Sequence, residues 1–190
     1  MLAVAVTYDP AIGPASQRFE EGLSKIVVTL MRLFLPLSLL VLAVYVFVIP
    51  FRFMEPFHNR DVLMVFNIML FAVMGLLVGA TPAKGDGLSP KQQSTLRAGI
   101  LALAGLTTLV SLYALAAIAY RTVLGGITMN RLTVIGWNCL NIGLLVALII
   151  RQLRGERPEW APALHSVFSA GTIGYGIWTL FVIVAIPPLF

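Results

Sequence analysis

Charge is what this sequence has least of. Of its 190 residues only 11% are charged and 59% are hydrophobic, where a soluble domain carries about 25% charged residues. A mean hydropathy of +0.94 leaves too little polar surface to cover a soluble particle, so the favourable surroundings are a lipid bilayer. Cysteine is nearly absent. The single Cys139 excludes an intrachain disulfide and, lying in an apolar run, reads as a small buried hydrophobe. With two histidines, His58 and His165, and no cysteine pair, no metal-ligand spacing appears. There is no H-E-x-x-H, no G-x-S-x-G with a usable histidine and no carboxylate pair placed for glycosidase chemistry. A standard secretory leader is not recognisable either. "MLAVAVTYDP" has no positive start, and Tyr8, Asp9 and Pro10 cut its apolar stretch short. Residues 1–25 are therefore expected to be an N-terminal surface segment.

What is present is long apolar runs. Crossing the hydrocarbon core takes about 20 apolar residues in a helix, and backbone groups in lipid must be paired within the segment. Five segments qualify, and none shows the alternation of a membrane barrel strand. The expected fold is an all-α, polytopic transmembrane bundle over residues 26–190. Its helices are expected at about 26–49, 62–80, 90–121, 129–151 and 166–190. The connections are punctuated accordingly. "PFRFMEPFHNRD" carries two prolines and charges. Ser89-Pro90 is a capping residue followed by the residue best suited to a first helical position. Pro36 is expected to bend the first helix. Trp160 falls where an interfacial aromatic belongs.

The chain carries a net charge of +5, yet its basic residues stand singly at the ends of apolar runs. That distribution excludes a nucleic-acid patch and fits lipid headgroups and insertion topology. Nine lysines and arginines fall on one side: Arg18, Lys25, Arg32, Lys84, Lys91, Arg97, Arg151, Arg154 and Arg157. Four fall on the other: Arg52, Arg60, Arg121 and Arg131. The positive-inside bias then predicts a cytoplasmic N-terminus and a C-terminus outside, in a bacterial inner membrane. Five spans do not divide into the matching halves of an inverted repeat.

Ionisable residues inside a membrane are functional suspects. The cores of spans two to five hold no Asp, Glu, Lys, Arg or His, which argues against a proton-coupled transporter, a pump or an intramembrane metalloprotease. Arg32 is the one charge within a span. It sits six residues after Ile26, about 9 Å along a helix and within snorkelling reach of headgroups. Neutral polar residues are Asn67 in the second span, Thr107, Thr108 and Ser111 in the third, and Asn138 and Asn141, three apart on one face of the fourth. Asparagine in lipid needs a partner, so these are expected to join helices, with a polar lining for a small ligand as the alternative. Gly75 and Gly79 form G-x-x-x-G, and Ser166, Ala170 and Gly174 recur every four residues. Both patterns suit close helix packing. Tyr175 and Trp178 suit packing or the aromatic belt better than stacking on a pigment, and no cofactor is expected.

The stretch "YRTVLGGITMNRLTVIGWN" brackets a Gly-Gly-Ile-Thr turn with Arg121 and Arg131. Arg121 suits the negative end of a helix, and Thr128 can cap the next one. Arg131 falls in a first turn, where the helix dipole disfavours a cation. It is expected to reach a lipid phosphate, a carbonyl of the turn or an acidic partner. This run, with T-x-x-R at Thr128 to Arg131, resembles a turn in an uncharacterised bacterial family of multi-pass membrane proteins. Those proteins have a helix ending in arginine, a Tyr-Gly-Leu-Thr-like turn, then arginine and another helix. "FLPLSLLVLAVYVFVI" is similar to that family's leucine–proline–leucine helix, and the resemblance covers about residues 25–150. The chain departs from it at Leu124-Gly125-Gly126-Ile127 and at Met129-Asn130. The resemblance implies architecture and no activity.

The sequence thus predicts a non-enzymatic integral membrane protein, a structural or accessory subunit or scaffold of a membrane assembly. Membrane lipids, other membrane subunits or a second copy are its expected partners, and nucleic acid is not. The alternative is a transport or channel module for an uncharged or lipid-like substrate.

Overall fold

Helices that bury apolar stripes against one another arise wherever long apolar runs are separated by short polar breaks, and this chain shows little else. The computed structural model describes residues 19–81, 89–154 and 160–189, among which there is no strand. In chain order the helices are α1 (Phe19–Val48), α2 (Glu55–His58, a single turn), α3 (Arg60–Ala80), α4 (Pro90–Gly125), α5 (Met129–Arg154) and α6 (Trp160–Val184). Five of them, all but α2, are long and apolar enough to cross a membrane, which is compatible with an integral, multi-pass membrane protein. Residues 1–18 of the expected segment 1–25 lie outside the described residues, and with them Arg18, Lys84 and Arg157 from the charge count.

Local chemistry sets the helix ends. Ser89 Oγ accepts from Gln92 N while the Gln92 side chain accepts from Ser89 N, a reciprocal capping box ahead of Pro90. Asn59 caps α3 by accepting from Asp61 N at 2.9 Å. Gly126 closes α4 at φ 76°, a conformation that glycine adopts without the steric cost a side chain would bring. Pro187 and Pro188 stop the last apolar run, because proline cannot continue a helix.

Some boundaries move. α1 begins at Phe19, not 26, so helix replaces part of the expected surface segment. It runs through Pro36 without a break in the helix. α6 spans Trp160–Val184, not 166–190, because Pro162 is tolerated in its first turn, where backbone N–H groups lack partners anyway.

α4 is central. It packs on α1, α3 and α5, while α6 packs on α5 at the other flank. The core is built on Leu42, Leu70, Leu77, Leu103, Leu145 and Leu148. α1 and α6 keep broad apolar faces outward, with Leu33, Leu40, Phe47, Ile173, Ile177 and Ile183 exposed. Gly136 lies directly against the Trp178 ring, and Gly171 receives the Leu144 side chain, so α5 and α6 approach closely.

One expectation about an individual residue is corrected. Cys139 is exposed, because Asn138 and Asn141 take the inward face of α5 and turn Cys139 outward. Trp160 is 5% exposed, packed against its neighbours at the start of α6. Its carbonyl accepts from Gln152 Nε2 at 2.7 Å, which ties the start of α6 to the end of α5.

Candidate functional site

Consecutive helices joined by short connections run in alternating directions, so α3 and α5 both start at the same end of the bundle, flanking the C-terminal end of α4. Their sequences carry matched signals. Arg60 and Asn67 are seven apart on α3, and Arg131 and Asn138 are seven apart on α5. Seven residues are two turns, about 10 Å, and return to the same face. The parallel pair therefore sets arginine opposite arginine at the rim and asparagine opposite asparagine below.

The asparagines meet. Asn138 Nδ2 donates to Asn67 Oδ1 at 2.7 Å, and each amide also donates to the carbonyl four residues earlier on its own helix. Asn138 is 1% exposed. Asn141, 2% exposed, turns to the other neighbour and accepts from the Tyr175 hydroxyl of α6. The three asparagines thus join α3 to α5 and α5 to α6. Thr107 and Thr108 instead donate to their own helix at Leu103 O and Ala104 O, and join nothing.

Above the asparagine pair lies a cleft of about 410 Å³. Arg60 and Asn67 of α3, Arg121 of α4, and Thr128, Asn130 and Arg131 at the start of α5 supply its polar lining. Leu63, Ile118 and Val134 form apolar walls. Among the described residues no Asp or Glu lines it. Asp61 follows Arg60 directly but sits about a hundred degrees round the helix and lines a different pocket, beside Glu55.

The three arginines are held differently. Arg131 Nη1 donates to Gly126 O at 2.7 Å, and its guanidinium packs against Gly125, where a Cβ would stand 2.9 Å from Nη1. Its backbone N donates to Thr128 Oγ1 at 3.3 Å, so Thr128 caps α5. Of the three acceptors expected for Arg131, the one seen is a carbonyl of the turn. Arg121 Nη1 is buried and finds no hydrogen-bond partner among the described residues. Arg60 opens α3 and is exposed at the rim.

The other residues singled out by sequence are spread through the bundle. Arg32 lies half-buried on α1 and takes no part in the cleft lining. Gly79 packs on α1, where a Cβ would come within 2.8 Å of Met31 Cγ. Gly75 is exposed, with nothing within 4 Å of the point where a Cβ would stand. The G-x-x-x-G pair therefore splits, because Met31 fills the space beside one glycine only. On α6, Ser166 and Ala170 face outward while Gly174 is half-buried with Leu140 at 3.5 Å. The packing face there runs through Leu164, Val167 and Gly171.

Arg60 and Tyr175 are the site residues that sequence reasoning undervalued. The seven-residue spacing from Arg60 to Asn67 was the available signal for the first. Tyr175 had none, since nothing in the sequence pairs α6 with Asn141. Among the described residues, no three of His, Cys, Asp and Glu cluster as metal ligands would. No family model, no curated protein and no solved structure matches the chain.

Proposed function

We propose that this chain is a non-enzymatic integral membrane protein of a bacterial inner membrane, serving as a structural or accessory subunit of a membrane assembly. The observation that carries this reading is where the polar groups go. Asn67, Asn138, Asn141 and Tyr175 pair with one another, and the threonines of α4 bond to their own helix. The interior is consumed in holding helices together, while α1 and α6 present wide apolar faces to whatever surrounds the bundle. The likeness of the 120–138 hairpin to an uncharacterised multi-pass family agrees with the architecture alone. A cytoplasmic N-terminus follows from the nine-to-four split of basic residues.

Cross-linking in native membranes, followed by purification in mild detergent, tests the assembly. A constant stoichiometric partner or a defined oligomer is the expected result. A lone monomer in the membrane would overturn it. Reporter fusions after Ala80 and after Phe190 are expected on opposite sides of the membrane, the first cytoplasmic.

A second reading has one observation in its favour. The cleft descends about two helical turns from its rim to Asn67, which accepts from Asn138 behind it, as the outer half of a conduit for a lipid-like substrate would. Flux across vesicles reconstituted with the protein, lost on Asn67→Leu, would favour transport over scaffolding.

A further inference from the structure

The geometry points to the cleft between α3, α4 and α5 as a binding site for a phosphate oxyanion, held by Arg60, Arg121 and Arg131. The inference goes beyond the subunit role and stands whether the bundle is a scaffold or a conduit.

Four observations converge. Three guanidinium groups line one cavity, and no carboxylate among the described residues that line it offsets them. Arg121 Nη1 is buried with its hydrogen-bonding capacity unused, which is costly for a charged donor unless a ligand completes it. Two helices, α3 and α5, start at this cleft, and their dipoles favour negative charge there. Finally, among the described residues only four lysines and arginines fall at this end of the bundle, and three of them line this cavity. Insertion topology disfavours basic residues on that side, so their concentration needs a local reason.

The chemistry favours phosphate. Guanidinium forks match tetrahedral oxyanions, and low-dielectric walls at Leu63, Ile118 and Val134 strengthen the attraction. Two sources supply such a group: the headgroup of an anionic phospholipid, whose acyl chains would run down the apolar flank, and a free phosphate or phosphomonoester from the aqueous side.

The test uses the full chain and three substitutions: Arg60→Gln, Arg121→Gln, and Arg52→Gln as a control. Arg52 lies at the same end but is paired with Glu55 at 2.8 Å and does not line the cleft. Each protein is purified from membranes, washed in neutral detergent and probed by native mass spectrometry for retained phosphatidylglycerol against phosphatidylcholine. Inorganic phosphate is titrated calorimetrically in parallel. Melting in neutral detergent without added anion confirms folding, and Arg60→Gln, at an exposed helix start, keeps the test valid if Arg121→Gln misfolds.

If a lipid is the source, the parent and Arg52→Gln keep phosphatidylglycerol selectively, while Arg60→Gln and Arg121→Gln weaken retention by about tenfold or more. If a soluble anion is the source, the same pattern appears in the phosphate titration and not in the lipid count. Equal behaviour of all four proteins with both probes overturns the proposal, as does no binding of either probe. An equal loss in Arg52→Gln also overturns it, since that would be general surface charge and not a site.

Discussion

The two ends of the bundle treat arginine in opposite ways. At the end where α4 begins and α5 finishes, Arg97 donates to Gln152 O and Arg151 donates to Ser166 Oγ, which in turn donates to Ala163 O. Gln152, 1% exposed, passes the chain of contacts on to Trp160 O. Packing there is tight, and a Cβ on Gly99 would meet Leu35 Cδ2 at 2.7 Å. At the opposite end, Tyr113 anchors the α1–α3 connection by donating to Phe53 O, inside a ring cluster with Phe57 and Tyr120. Beside that cluster, however, three arginines surround open volume. The residue type is the same at both ends. What differs is whether the neighbouring helices supply oxygen acceptors. Arg97 and Arg151 fasten one helix to another, whereas Arg131 is held only by its own turn and Arg121 Nη1 is left without an acceptor beside a cavity.

The largest effect that would break this contrast is expected at the closed end. Gly79→Leu must place its side chain where Met31 already lies. Overpacking of that kind costs about 3 kcal/mol, so the variant is expected to melt well below the parent in detergent. Gly75→Leu, with open space at its Cβ, is expected to melt like the parent. If the two variants behave alike, the packing of α3 on α1 is not as described.

Next in size is Gln152→Leu. The substitution removes a buried hydrogen bond that ties the end of α5 to the start of α6, at a cost of about 1.5 kcal/mol. Anionic-lipid retention at the far cleft is expected to be unchanged. A shift in lipid retention with no change in melting would reverse the roles assigned to the two ends.

Smaller again is the asparagine floor. A double-mutant cycle on Asn67→Ala and Asn138→Ala is expected to give a coupling of about 1 kcal/mol, in the range of interhelical hydrogen bonds in membranes. Additive losses would show that the two amides do not bond to each other.

The sequence was most informative where one physical rule acted alone. Apolar length marked out the five spans, and Ser89-Pro90 and Gly125-Gly126 placed helix ends to within a few residues. Asn138 and Asn141 on one face were readable as interhelical joints. Their separate partners were not, because a spacing of three says which face of α5 they occupy and nothing about which helices stand opposite. The same limit explains the small residues. Gly75 and Gly79 share a face by spacing, yet whether a neighbour reaches each depends on where Met31 falls. Cys139 came out reversed for a related reason. Apolar sequence context cannot distinguish a lipid-facing position from a buried one, since both surroundings are apolar. Arg60 was legible only once α3 and α5 were known to be parallel, which turns two separate seven-residue spacings into one cavity.

The last and smallest effect concerns Arg131. From sequence it outranks Arg121, since a helix dipole opposes a cation in a first turn. The structure gives Arg131 an acceptor, Gly126 O, and gives the buried Arg121 Nη1 none among the described residues. Arg131 is therefore partly committed to holding the turn, and Arg121 has more to gain from an anion. Lysine keeps the charge but has no fork with which to hold the turn carbonyl and a phosphate together. Arg131→Lys is expected to lower stability by only about 0.5 kcal/mol, because the lost bond is exposed. It is also expected to reduce phosphatidylglycerol retention less than Arg121→Gln does. Gly125→Ala sharpens the point, since its Cβ would press on the Arg131 guanidinium and displace that flexible tip from the turn. Native mass spectrometry on Arg131→Lys, Arg121→Gln and Gly125→Ala gives the ranking directly. A larger loss in Arg131→Lys than in Arg121→Gln would restore the order expected from sequence and make the turn, not Arg121 of α4, the centre of the cleft.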